Sequence, residues 1–164
     1  MRNQIRIWIA GILLLAPALA AQTLDLKLDS LASKAAEKAE LDIDPATMGK
    51  LMSDGKLPGA ALSTAKDVRI RNYRFAKEGE YSEKDLDILR RQVGEGTGWS
   101  RMVQVKEKRE SVEIYSHKEG EQIRAFLIIA CEATEVSVVY VAGDITPEQL
   151  KALVSSKIAY NLGQ

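Results

Sequence analysis

Cysteine and histidine, the residues that most often bind metals or carry out nucleophilic catalysis, are almost absent from this chain. Its 164 residues include one cysteine, Cys131, and one histidine, His117. A single cysteine excludes an intramolecular disulfide, and one residue of each type is too few for the usual zinc sites. We therefore predict no metal site. We interpret Cys131 as a buried, unreactive core residue and His117 as a solvated residue at the mouth of a turn.

An excess of positive charge is also missing. Lysine and arginine together number 23, aspartate and glutamate together number 23, and the formal net charge is +0. Binding to nucleic acid needs a strong basic surplus that displaces counterions, and attraction to anionic membranes needs the same. The balance of 46% hydrophobic and 28% charged residues is typical of a globular protein. We expect neither nucleic acid nor a membrane surface as a partner.

No hydrophobic run is long enough to cross a bilayer, which takes about 20 apolar residues. The longest one, from Ile7 to Leu15, follows Arg2 and Arg6 and precedes Ala18-Leu19-Ala20. This order is typical of a secretory signal peptide that is cleaved after a small residue. We predict a signal peptide over residues 1–20 and one domain over 21–164, exported to the periplasm or secreted. The alternative is an uncleaved N-terminal anchor.

Familiar catalytic motifs are missing as well. The glycine-rich stretch 94–98, GEGTG, lacks the lysine and hydroxyl residue of a phosphate-binding loop. Two sets of acidic residues remain as candidates for acid–base catalysis. One set is Asp85 with Asp87, and the other is Glu107 with Glu110 and Glu113. Asp85 is in a capping position, and the three glutamates alternate with basic residues, so we predict a helix cap and a solvated salt-bridge surface. We predict no catalytic residue and no cofactor.

The pattern of apolar residues predicts an α+β fold. Period-two alternation predicts four consecutive strands, over 99–109, 111–117, 122–132 and 135–143. Short links between them indicate an antiparallel meander. Helical spacing predicts helices at 24–38 and 83–93, with Leu28, Leu31, Leu86 and Leu89 against the sheet. Further elements are predicted as a short strand from Ala39 to Ile43, a helix that starts at Asp44-Pro45, a strand at 68–75 with a bulge near Arg71-Asn72, and a helix that starts at Thr146-Pro147. We therefore expect an antiparallel sheet of the meander plus one or two strands, packed with helices.

Two groups of residues are candidates for binding. Trp99 and Arg101 lie two residues apart on one face of a predicted strand, and these residue types dominate binding hot spots. In the alternative interpretation, Trp99 fills the edge of the core and Arg101 extends over it. The second group is on a second apolar face of the predicted sheet, and its members are Phe126, Ile128, Val139 and Val141. Either helices of the same chain cover this face, or a protein partner or a second copy does.

Landmarks over residues 68–150 resemble the bacterial family called Domain of Unknown Function 4252. They are Tyr73-Arg74-Phe75, Glu78-Gly79, Tyr81, Trp99-Ser100-Arg101 and Val141-Ala142-Gly143. The resemblance implies a small exported bacterial protein and assigns no catalytic residue. We interpret the chain as a non-catalytic binding or interaction module of the cell envelope. The alternatives are a small hydrolase-type enzyme and a carrier of apolar ligands.

Overall fold

The computed structural model describes residues 24–54 and 63–155 as an antiparallel sheet with helices on both faces. The strands are β1 (Glu37–Ile43), β2 (Ala65–Arg74), β3 (Trp99–Lys106), β4 (Ser111–Glu119), β5 (Gln122–Cys131) and β6 (Glu135–Gly143). The helices are α1 (Asp29–Lys34), α2 (Pro45–Ser53), α3 (Asp87–Gln92) and α4 (Pro147–Ser155), with a 3-10 helix over Glu83–Leu86 directly before α3. The predicted α+β class is confirmed.

The sheet has the strand order β1-β2-β6-β5-β4-β3, and every neighbouring pair is antiparallel. The predicted meander is confirmed, since β3, β4, β5 and β6 are neighbours in sequence order. β2 pairs with β6 and carries β1 on its other side. The two edges of the sheet are therefore β1 and β3, at opposite ends of the strand order.

The first face of the sheet carries Tyr115, Leu127 and Tyr140 and forms the larger part of the core. It is covered by the segment that begins at Leu24, by α1, and by the 3-10 helix with α3. The four predicted helical contacts are confirmed, because each of these leucines is 2% exposed or less: Leu28, Leu31, Leu86 and Leu89.

The second face carries Phe126, Val139 and Val141, which are buried in a separate apolar cluster. Met48 of α2 and Leu150 of α4 belong to the same cluster. Helices of the same chain therefore cover these three side chains and leave almost no area of them for a partner. Ile128 is partly buried against the cluster. Burial on both sides explains why β5 and β6 are apolar on both faces.

The helix predicted from residue 24 begins only at Asp29 and ends at Lys34. Residues 24–28 are not helical; Leu24, Leu26 and Leu28 are buried, whereas the residues between them are exposed. The Gln92 side chain holds this segment in place, accepting from the Asp25 amide at 2.8 Å and donating to the Asp25 carbonyl at 2.9 Å. The prediction counted leucines three and four apart and overlooked Leu26, whose position favours a period of two.

The bulge predicted near Arg71-Asn72 is absent, and the register of β2 against β6 shifts between Ala65 and Asp67 instead. Val68 and Ile70 consequently belong to the second face, while Tyr73 and Phe75 belong to the first. The bulge was needed only to bring both pairs to one face. Because helices cover both faces of this sheet, each pair is buried in the apolar cluster on its own face.

Side-chain caps start the helices where the sequence predicts them. Asp44 Oδ1 accepts from the Thr47 amide at 2.8 Å, Asp85 Oδ2 accepts from the Ser82 amide at 2.8 Å, and Thr146 Oγ1 accepts from the Gln149 amide at 3.2 Å. These bonds satisfy amides that a helix end leaves free. The predicted signal peptide, the helix end at Gly55 and the chain after residue 155 lie outside the described residues, as do the Leu153 and Val154 side chains.

Candidate functional site

β3 forms one edge of the sheet, and among the described strands only β4 pairs with it. Seven of its eight residues are exposed, including three large apolar side chains, Met102 (47%), Val103 (39%) and Val105 (49%). The outer side of an edge strand presents backbone N–H and C=O groups in the geometry that an additional strand would use. β3 is therefore the candidate binding site of this chain.

A bulge in β3 sorts its side chains onto two different faces. The register against β4 shifts between Arg101 and Val103, so that Met102 is the additional residue. The polar side chains lie on the first face, with Arg101 opposite Tyr115, Gln104 opposite Glu113 and Lys106 opposite Ser111. The valines lie on the second face, with Val103 opposite Ile114 and Val105 opposite Val112. β3 thus presents a cationic row on one side and an apolar row on the other.

β1, at the opposite edge, has the complementary charge. Glu40 and Asp42 are exposed and lie on the first face, opposite Arg71 and Arg69 of β2. The Asp42 carboxylate contacts Arg71 Nη1 at 2.6 Å, yet the Asp42 side chain remains 62% exposed. On the second face, Leu41 is opposite Ile70 and is 36% exposed. From Ala39 to Asp42, β1 therefore alternates apolar and acidic side chains along an edge of the sheet that no other described strand pairs with.

Trp99 and Arg101, the pair singled out by sequence, do lie on the same face of β3. Trp99 is only 7% exposed and belongs to the core cluster, with its ring 5.3 Å from that of His117 and 6.5 Å from that of Tyr140. Trp99 therefore fills the edge of the core, as the alternative interpretation has it, whereas Arg101 is exposed. Among the described residues nothing accepts a hydrogen bond from Trp99 Nε1.

His117 is half-buried against Trp99, so the prediction of a solvated histidine is wrong. Gly98, just before β3, lies against the imidazole ring and has a φ of +80°. A Cβ at Gly98 would lie 2.9 Å from His117 Nε2. The sequence predicted a strand that ends at His117, whereas β4 continues to Glu119. Local patterns could not show that the Trp99 ring of the neighbouring strand packs against the imidazole.

Glu113 is 4% exposed, so the prediction that it forms part of a solvated surface is wrong. Its Oε1 accepts from Arg90 Nη2 at 2.6 Å, and its Oε2 accepts from the Tyr115 hydroxyl at 2.5 Å. Burial opposes ionisation, but these hydrogen bonds outweigh it and lower the pKa of Glu113. Arg90 also binds Glu83 at 2.6 Å. The buried carboxylate is thus charged, fully engaged and poorly suited to accept or release a proton near neutral pH.

Asp85 has a second role beside the predicted helix cap. It is 8% exposed and binds α1 through Lys34 Nζ at 2.7 Å and Ser30 Oγ at 2.5 Å. Burial raises its pKa, but the bonds from Lys34, Ser30 and the Ser82 amide outweigh that effect and lower it to about 2. The neighbouring Asp87 is exposed, as predicted. Asp85 therefore joins two elements that cover the first face.

Cys131 is buried at the base of a cleft of about 290 Å³ between the β3–β4 turn and the loop before the 3-10 helix. Burial raises the pKa of its thiol to about 11, despite a hydrogen bond with Ser111 that lowers it. Ion pairs cross between the two walls of the cleft, Lys106 with Glu83 at 3.8 Å and Arg109 with Glu78 at 3.4 Å. A protonated thiol is a poor nucleophile, and charged walls do not suit an apolar ligand.

Two further observations concern the described part of the chain. Within residues 24–54 and 63–155, no three His, Cys, Asp or Glu side chains come together as metal ligands would. Each helix in the same ranges is too short or too polar to span a bilayer.

A comparison with protein families identifies the chain. The model of the family described as Domain of unknown function (DUF4252) matches residues 35–153. The chain belongs to the DUF4252 family. No curated protein matches it.

The DUF4252 landmarks in this chain have clear structural roles. Tyr73 and Phe75 are buried, and the Phe75 ring stacks on that of Tyr81 with their centroids 4.8 Å apart. Gly143, which ends β6, has a φ of +146°, and a Cβ there would lie 2.3 Å from the Thr64 carbonyl oxygen. Only glycine permits this close approach between the end of β6 and the start of β2. These landmarks therefore hold the fold together, and Trp99 belongs to the same group.

Proposed function

We propose that this DUF4252 protein is a non-catalytic binding module that accepts an extended polypeptide segment as an additional strand along β3. The observation that carries the proposal is the exposure of Met102, Val103 and Val105 on an open sheet edge. Long apolar edge strands promote aggregation, and proteins usually shorten, charge or cover them. An edge that keeps three apolar side chains in water fits a strand with a partner.

The side chains of β3 define the chemistry of the segment it would accept. In strand addition, main-chain hydrogen bonds supply affinity, and alternate side chains supply specificity. Arg101 and Lys106 on the first face favour acidic residues in the partner, while Val103 and Val105 on the second face favour apolar ones. The fitting segment therefore alternates acidic and apolar residues, with the acidic side chains on the same face as Arg101.

The ionisable groups of the described core support a non-catalytic function. Catalytic acids, bases and nucleophiles need pKa values near the working pH. The pKa of the Cys131 thiol is raised to about 11, and that of the Asp85 carboxyl is lowered to about 2. Glu113 is also held in its charged form by Arg90. Each of these groups is stabilised in its less reactive state.

Export to the cell envelope is part of the same proposal. The charged, apolar and small-residue order of residues 1–20 supports cleavage after Ala20. Leu24 is the first described residue buried against the sheet. Cleavage after Ala20 would therefore leave every described core residue in place. Mass spectrometry of the protein from the exported fraction should find an N-terminus at or next to Ala21, and recovery of an intact Met1 would contradict the assignment.

The binding proposal can be tested by NMR titration with two short synthetic peptides, one that alternates glutamate and valine and one that alternates lysine and valine. We expect the acidic peptide to shift and protect backbone amides of β3, and the basic peptide to have little effect. Val105→Lys should weaken acidic-peptide binding at least tenfold, because a buried valine contributes roughly 1.5 kcal/mol or more.

Ile88→Lys is the matched control, since Ile88 is an equally exposed apolar residue (48%) that belongs to α3 and not to a strand of the sheet. It should leave peptide binding unchanged. Equal binding of the two peptides, or amide shifts that avoid β3, would contradict the proposal.

A further inference from the structure

β1 of this chain has the pattern that β3 requires of a partner. Glu40 and Asp42 point to the first face, while Ala39 and Leu41 point to the second. All four are exposed or partly exposed at an edge of the sheet. We infer that the segment accepted by β3 is β1 of a second copy of this chain, so that copies join edge to edge. This inference rests on the proposed function of β3 and adds the identity of its partner.

The geometry of the sheet permits this junction without turning either copy over. Five antiparallel pairings lie between β1 and β3, and each reverses the strand direction. The two edge strands therefore run in opposite directions. When a second copy continues the sheet with its first face on the same side, its β1 runs antiparallel to β3 of the first copy. The acidic row of β1 then meets the cationic row of β3, and the two apolar rows meet on the other side.

One register satisfies both the charges and the apolar contacts. With Leu41 opposite Val105, Glu40 lies opposite Lys106, and Asp42 lies opposite the Gln104 side chain. A shift by two residues would place Leu41 opposite Val103 but would also place Lys38 opposite Lys106. Like charges directly opposite one another destabilise a strand pair, so the first register is preferred. The Lys106 side chain is 71% exposed, so in this register its ammonium would contact Glu40 in addition to Glu83, which is 3.8 Å away.

A junction between two different edges leaves one free edge on each outer copy. Such a head-to-tail contact produces rings or open chains, whereas pairing of one edge with itself produces a closed dimer. The contact is built on two short strands, so it falls at the small end of specific interfaces. We therefore expect reversible association that increases with protein concentration.

The experiment combines two variants that each block one edge. Leu41→Lys blocks β1 and leaves β3 intact, and Val105→Lys does the reverse. Analytical ultracentrifugation of the wild-type protein should show an average mass that rises with concentration beyond that of a dimer. Each variant alone should associate at least tenfold more weakly. An equimolar mixture should form a 1:1 dimer and no larger species, because it offers one intact β1 and one intact β3.

Circular dichroism should show that both variants are folded, since the replaced side chains are already exposed, Leu41 by 36% and Val105 by 49%. If Val105→Lys does not fold, Lys106→Glu replaces it as the β3 variant. Self-association of Leu41→Lys that equals that of the wild type would overturn the inference in favour of β3–β3 pairing. A wild-type protein that stays monomeric throughout would also overturn it. If the acidic peptide still protects β3 in that case, the proposed function survives and the partner is a different protein.

Discussion

Replacement of Asp85 by asparagine should weaken the attachment of α1 to the rest of the fold. The carboxylate accepts from Lys34 Nζ at 2.7 Å, from Ser30 Oγ at 2.5 Å and from the Ser82 amide at 2.8 Å. Its pKa of about 2, against an ordinary 3.8, corresponds to roughly 2.5 kcal/mol in favour of the folded state. The Lys34 side chain is 42% exposed, so solvent screens its ion pair with Asp85 and reduces this stabilisation. We expect a loss of about 1.5–2 kcal/mol at pH 7.

The loss should depend on pH in a defined direction. Because the pKa of Asp85 is lower in the folded state than in the unfolded state, its contribution is complete at neutral pH and disappears as the pH falls through about 2. The difference between the wild type and Asp85→Asn should therefore shrink below about pH 4, and roughly half of it should be gone at pH 3.

Urea unfolding at pH 7, 5 and 3 measures this difference directly. Asp87→Asn is the matched control, because Asp87 is an exposed carboxylate two residues away, and it should change the free energy of unfolding by less than about 0.5 kcal/mol. Equal effects of the two substitutions at pH 7 would refute the reasoning. A difference that stays constant down to pH 3 would refute the role assigned to the Asp85 charge.

Three further substitutions or treatments test other parts of the structure. Glu113→Gln removes a buried charge held by an arginine and should cost about 2 kcal/mol in urea unfolding, whereas Glu107→Gln on the exposed hairpin should cost less than about 0.5 kcal/mol; equal costs would contradict the burial of Glu113. Cys131 should react slowly with a thiol reagent in the folded protein, because burial holds its thiol protonated, and rapid labelling without denaturant would contradict its placement. Gly98→Ala should lower stability more than Gly96→Ala, since both glycines have positive φ but only the Cβ at Gly98 meets His117; equal thermal midpoints would show that the imidazole moves aside at no cost.

Local patterns predicted the local features of the fold well. The alternation after Trp99 and the short links between strands specified the meander, and Asp44-Pro45 and Thr146-Pro147 marked two helix starts that the structure confirms. The prediction failed where two periods competed. Leu24, Leu28 and Leu31 fit a helix, while Leu24, Leu26 and Leu28 fit an extended segment, and contacts with Gln92 and the sheet favour the second arrangement over 24–28.

Features that depend on distant residues could not be predicted from local patterns. Glu113 lies between valine and isoleucine in a hairpin rich in charge, and its burial depends on Arg90, 23 residues earlier in the chain. The second apolar face was recognised, yet only the packing of Met48 and Leu150 shows which residues cover it. The exposure of β3 likewise follows from the strand order, which places β2 rather than β3 beside β6.

The central claim is that the outer edge of β3 accepts an additional strand. Amide hydrogen exchange, measured residue by residue at low and high protein concentration and with the acidic peptide, tests it most directly. The account predicts that outward-facing amides of β3 become at least tenfold more protected at high concentration or with the peptide, while amides of β5 in the centre of the sheet do not change. Unchanged exchange in β3 under all of these conditions would contradict the claim.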